Sequence, residues 1–87
     1  MNVYYAGKFK KHFKKRIEPN PNLQKRFQER LALLIASRKD KTLQDHPLKG
    51  KKQWLRSFSV TGDIRVVYFI EKGDLRLIDI GTHNQVY

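Results

Sequence analysis

Near residue 53 the spacing of apolar side chains changes period, and that change restricts the fold more than any other feature of the chain. Beyond it, Trp54 to Val60, Ile64 to Ile70 and Leu75 to Ile80 are three runs rich in β-branched, aromatic and aliphatic residues. Thr61-Gly62-Asp63 and Glu71-Lys72-Gly73-Asp74 separate them, and connections this short join antiparallel neighbours. The middle run is apolar on both parities: Ile64, Val66, Tyr68 and Ile70 on one, Val67 and Phe69 on the other. It is therefore expected at the centre of a three-strand meander. Phe58 and Val60 should face a helical layer, which leaves Ser57 and Ser59 on the opposite face.

Ahead of the switch the period is helical. Phe9, Phe13 and Ile17 recur every fourth residue, with Lys8, Lys10, Lys11, Lys14, Lys15 and Arg16 on the remaining faces. Glu18-Pro19-Asn20-Pro21 ends this segment, and Asn20 can cap a second helix that has Pro21 in its first turn. Leu23, Phe27, Leu31, Leu34 and Ile35 form the apolar stripe of that second helix. Asn2-Val3-Tyr4-Tyr5 reads as a short opening strand. The expectation is an α+β fold of order β-α-α-β-β-β. Two N-terminal helices pack on one face of a small, mainly antiparallel sheet, and the other face is partly open. Residues 1–87 make one domain, with no internal repeat or low-complexity segment.

Charge narrows the partners. Residues 1–56 carry 16 basic and 4 acidic side chains, whereas residues 57–87 carry 3 and 4. This segregation suits a polyanion, because each cation placed near a phosphate releases condensed counterions. The plain alternative is a solvated basic surface. The stripe of the first helix is narrow and should pack on the sheet rather than lie on a membrane. There is no cysteine, no signal-peptide pattern and no apolar run of membrane-spanning length, so a cytoplasmic protein is expected.

Three histidines are present. His12 lies among the lysines of the first helix and reads as a solvated or phosphate-contacting group. His46 sits in an extended linker, Asp45-His46-Pro47-Leu48-Lys49-Gly50, ahead of Lys51 and Lys52. His83 follows the last strand in the tail Gly81-Thr82-His83-Asn84-Gln85-Val86-Tyr87. Asp63, at a hairpin turn, and Arg65, two residues on, share one side of their strand near Ser57 and Ser59. Taken singly each has a structural explanation: a loop histidine, a turn aspartate, a sheet-surface arginine. Two histidines without helical spacing or a cysteine are a thin metal-ligand set, and neither a nucleophile elbow nor a phosphate-cradling glycine loop is present.

Asp45-His46-Pro47-Leu48-Lys49-Gly50, then Trp54-Leu55-Arg56-Ser57-Phe58, Gly62-Asp63-Ile64-Arg65-Val66-Val67-Tyr68 and the terminal Gly81-Thr82-His83 resemble the RelE/ParE superfamily of bacterial toxins. The likeness is greatest to the YafQ-type messenger-RNA-cleaving group and spans essentially the whole chain. It implies a toxin of a type II toxin–antitoxin system that cuts messenger RNA on the ribosome and is neutralised by a cognate antitoxin. Ribosome and message are then further partners, and no metal, small-molecule cofactor or membrane is called for.

The resemblance also implies roles. His83 matches the family's catalytic histidine as general acid. His46 matches the histidine of the His-Pro-Leu element as candidate base, with Asp63 assisting or orienting it. Arg65 matches the strand arginine of RelE-type toxins and would stabilise the crowded phosphate. Tyr87 matches a terminal aromatic that could stack on a base. Lys49, Lys51 and Lys52, with Lys8, Lys10, Lys11, Lys14, Lys15 and Arg16, would grip RNA phosphates. Histidine suits both proton transfers because its unperturbed pKa is about 6.5. YafQ-type toxins carry another histidine where Ser59 stands and a tryptophan where Ile64 stands, so their mechanism does not carry over whole. The rival reading is a ParE-like toxin that binds DNA gyrase without catalysis, and a third is an inactive RNA-binding module.

Overall fold

The computed structural model describes residues 1–87, and the two periods resolve into the expected layers. The elements run β1 (Val3–Tyr5), α1 (Gly7–Arg16), α2 (Pro21–Ala36), β2 (His46–Pro47), β3 (Arg56–Ser59), β4 (Ile64–Glu71), β5 (Asp74–Thr82) and α3 (His83–Val86). Short 3-10 turns occupy Lys41–Leu43 and Gly50–Lys52. One sheet has the order β1-β5-β4-β3-β2, with β4 at its centre as the two-sided apolar pattern requires. β3, β4 and β5 form the antiparallel meander, and β1 pairs parallel with β5. No helix is long and apolar enough to cross a membrane.

The core follows from parity. Phe9 and Ile17 of the first helical stripe and Phe27 and Leu34 of the second meet Phe58, Val60, Val66, Tyr68, Leu75, Leu77 and Ile80 of the sheet. Phe13 packs at the margin, with its ring centroid 5.2 Å from that of Phe27 and 5.8 Å from that of Phe9. Ile35, expected in the stripe, is instead 46% exposed. At about 100° per residue it stands about 80° round the helix from Phe27, whereas Leu34 nearly eclipses Phe27. The Asn20 side chain accepts the N–H groups of Asn22 (3.0 Å) and Leu23 (3.3 Å), and Pro21 needs no donor at the first position. Asn20→Ala should therefore lower stability by about 1 kcal/mol, read as a shifted denaturation midpoint at unchanged slope.

Two features depart from the sequence reading and a third adds to it. His46–Pro47, expected in a linker, forms a short strand paired with Ser57 and Arg56, so the sheet has five strands. The last strand runs on past Ile80 to Thr82, and the tail then folds into α3, a helix the sequence reading did not include. The face opposite the helices is not simply open: Leu48, Leu55 and Val67 form a second small cluster with Phe69, Ile78 and Val86.

The β5 edge explains His12 and Arg16. β1 covers β5 only at Leu75–Leu77, and a register shift follows between Val67 and Tyr68 on the neighbouring strand. Beyond that point α1 lies along the edge and satisfies it with side chains. Arg16 Nη1 donates to the Ile80 carbonyl (2.9 Å), and His12 Nδ1 donates to Asp79 Oδ1 (2.6 Å). Asp79 is 3% exposed, also takes the Ile80 N–H at 2.9 Å, and has Lys8 at 3.5 Å. His12 is thus not a solvated group. Its partner is a buried carboxylate, and Arg16 is committed to the sheet edge rather than to a phosphate.

Candidate active site

Arg65 enters the site from β4, opposite Gly81 on one side and Ser59 on the other. Its guanidinium is fixed by protein acceptors. Nε donates to Ser57 Oγ (3.0 Å) and Tyr87 Oη (2.9 Å), and Nη2 donates to the carbonyls of Gln44 (2.7 Å) and Ser57 (3.1 Å). Nη1 has no protein partner. The Ser57 and Tyr87 hydroxyls are also hydrogen-bonded to each other. The same-face expectation for Ser57 and Arg65 is therefore met, although Ser57 is buried rather than open. Gln44 contributes through its backbone. It ends the Lys41–Leu43 turn in the left-handed region at φ 47°, ψ 43°, a conformation that costs a non-glycine residue about 1 kcal/mol or more. The turn itself is capped by Asp40, whose carboxyl the Thr42 backbone N–H holds below the usual carboxylate range.

His46 is placed by pairing with Ser57 across β2 and β3. The residue before it is clamped: Asp45 accepts Arg56 Nε at 2.6 Å and the Tyr68 hydroxyl. Burial, and then this bond to Asp45, hold the Tyr68 phenol protonated well above the usual tyrosine range. Burial alone would pull Arg56 down, but its bond to Asp45 and that charge outweigh it and raise the net value. The Asp45–Arg56–Tyr68 cluster was not singled out from sequence. The one available signal was Tyr68 on the helix-facing parity, where a buried hydroxyl needs a partner. Tyr68→Phe should leave Asp45 half-satisfied and cost about 1–2 kcal/mol, checked by equilibrium unfolding.

His83 opens α3 on the other side of Arg65. The Gln85 side chain accepts the Thr82 N–H at 2.7 Å, and Val86 anchors the short helix in the second cluster. The ring of Tyr87 is close to both histidines, with its centroid 4.2 Å from that of His83 and 6.3 Å from that of His46, and is steeply inclined to each. His46 Nδ1 lies 3.0 Å from the Pro47 carbonyl, which can only accept, so Nδ1 carries the proton and Nε2 presents a lone pair in the neutral ring.

His46, Arg65, His83 and Tyr87 line one open groove of about 1450 Å³ together with Pro47, Leu48 and the run from Lys49 through Gln53. The structure therefore brings together both tail and loop histidines, the strand arginine, the terminal tyrosine and three of the expected lysines. Asp63 is not among the lining residues. It is exposed on the β3–β4 turn, where its N–H donates to Thr61 Oγ1 at 3.2 Å, and no contact joins it to either histidine. Lys10, Lys11, Lys14 and Lys15 are exposed on α1 outside the groove. A smaller hollow of about 270 Å³ beside it is lined wholly by polar and charged groups, among them Arg38, Lys39 and Lys41. No three histidine or carboxylate groups converge in a way that could hold a metal ion.

The family described as "Bacterial toxin of type II toxin-antitoxin system, YafQ" matches residues 1–87. Among solved structures, a metal-bound toxin from Helicobacter pylori is 26% identical, with a TM-score of 0.83 over 100% of this chain and 99% of that one. The E. coli DinJ-YafQ complex includes a chain 24% identical, with a TM-score of 0.82 over 99% of this chain and 97% of that one. A YoeB/ParE toxin from Agrobacterium tumefaciens shares the fold at 15% identity, with a TM-score of 0.82 over 95% and 99%. No curated protein matches the sequence.

Proposed function

The chain belongs to the YafQ family of bacterial type II toxin–antitoxin toxins, and from that premise we propose that it is an endoribonuclease that cleaves messenger RNA on the ribosome. The observation that carries this reading is the convergence of His46, His83 and the free Nη1 edge of Arg65 on one lysine-lined groove. RNA brings its own nucleophile. His46, with Nε2 bare, takes the proton from the 2′-hydroxyl as the 2′-oxygen attacks phosphorus. Arg65 Nη1 meets the charge gathering on the non-bridging oxygens, from a guanidinium already held in place. His83 delivers a proton to the departing 5′-oxygen as its bond to phosphorus breaks. The products are a 2′,3′-cyclic phosphate and a 5′-hydroxyl, with no net change in protons.

Tyr87 serves this arrangement twice. Its hydroxyl helps fix Arg65, and its exposed ring can pack on a base at the cleavage position. Lys49, Lys51 and Lys52 steer the phosphates of the incoming strand. Asp63 has no part in proton transfer in this scheme, and Ser59 does not replace the family's additional histidine: its hydroxyl is bound to the Thr61 carbonyl at 2.6 Å. The protein partner of such a toxin is a cognate antitoxin, the kind of pairing seen in the E. coli DinJ-YafQ toxin-antitoxin complex.

Purified protein added to translating ribosomes, with message ends mapped, tests the reading against gyrase inhibition. New ends bearing 5′-hydroxyls are the expected result. Intact messages with lost gyrase supercoiling would replace it with the ParE-like alternative.

A further inference from the structure

Trp54 is the only tryptophan of the chain and is 64% exposed, although it carries the largest apolar surface of any side chain present. It sits in the turn before β3, outside the groove lining itself, against Phe69 on the same side of β4 as Val67 and Arg65. Phe69, which packs on the Leu48–Leu55–Val67 cluster, holds its ring edge-on at a centroid distance of 5.3 Å and an interplanar angle of 67°. A ring inclined this steeply to its support, in a residue this exposed, is held on one side and keeps ring surface open to solvent. Trp54 also follows directly on Lys49–Gln53, the run that lines the groove and carries three cations in five residues. A fixed aromatic face beside a row of lysines is the combination that single-stranded nucleic acid uses: cations for its phosphates, a π-face for an unpaired base.

We infer that Trp54 is a nucleobase-stacking subsite at the end of the groove, taking an unpaired base of the RNA strand whose phosphates run along Lys49, Lys51 and Lys52. This rests on the reading of the groove as an RNA site and adds a position beyond the cleavage centre. Charge complementarity selects RNA over an apolar or basic partner surface, since any occupant of Trp54 must also pass these lysines.

The lone tryptophan reports directly on the subsite. A short single-stranded RNA, 2′-O-methylated throughout so that it cannot be cleaved, is titrated into the intact protein while tryptophan emission and RNA anisotropy are followed. Emission should fall in step with binding. An abasic ribose-phosphate oligomer of equal length should bind more weakly and leave emission unchanged. Trp54→Ala should weaken RNA binding about ten-fold, and Trp54→Phe should stay within about two-fold of the parent. RNA binding with unchanged emission and an unaffected Trp54→Ala protein overturns the subsite while leaving the groove reading intact. Emission altered by a cognate antitoxin but not by RNA overturns it in favour of a protein contact. Absence of any RNA binding overturns the subsite, and the groove reading is then decided by the ribosome assay alone.

Discussion

Replacing His83 by alanine is expected to lower message cleavage on the ribosome by about 10²–10⁴-fold, the range for loss of a positioned proton donor. The structure separates this effect from unfolding. His83 is exposed, its ring makes no hydrogen bond within the protein, and its aromatic neighbour is Tyr87, 4.2 Å away between centroids. α3 is held instead by Gln85 on the Thr82 N–H and by Val86 in the second cluster. The melting temperature and the affinity for an uncleavable RNA should therefore stay close to those of the parent. Primer extension over a time course measures the rate, and a pH series adds a mechanistic readout: the limb of the rate profile that requires a protonated group should disappear. Cleavage within two-fold of the parent would remove His83 from the mechanism and leave proton delivery to water.

Much of the scaffold beneath that experiment was legible in the sequence because its signals are local. The Asn20 cap, the meander and the shared face of Ser57 and Arg65 each follow from side-chain period and turn residues within one or two neighbouring elements. What stayed hidden depends on where an element lies rather than on what it is. His12 looked solvated because its neighbours are lysines. Only the path of α1 along the uncovered edge of β5 places it on Asp79. His46 read as a linker residue because two residues are too few for a strand period, and its pairing with Ser57 is a property of the sheet. Tyr87 offered an aromatic ring to sequence reasoning, but its hydroxyl turned out to matter as much. Asp63 was expected to assist or orient His46, yet its backbone N–H is spent on the turn and it is not among the residues that line the groove. Residue type announced the candidates, and tertiary placement sorted which of them share one groove.

Arg65→Lys should be nearly as damaging as loss of His83, with cleavage reduced about 10²–10³-fold although the positive charge is kept. The reason lies in how the guanidinium is divided. Nε is shared by Ser57 Oγ at 3.0 Å and Tyr87 Oη at 2.9 Å, Nη2 by the Gln44 and Ser57 carbonyls at 2.7 and 3.1 Å, and only Nη1 is left for a phosphate. A lysine ammonium is a single point on a flexible stem and cannot hold those acceptors and a phosphate at once. If it stays with the carbonyls, the transition state loses its cation. If it moves to the phosphate, Gln44 and the terminal tyrosine lose their anchor, at a stability cost of about 1–3 kcal/mol. Steady-state kinetics on ribosomes tell the roles apart. A fall in kcat with KM little changed marks Arg65 as stabilising the transition state, whereas a rise in KM at constant kcat would reduce it to a clamp that orders Gln44 and the C-terminal helix.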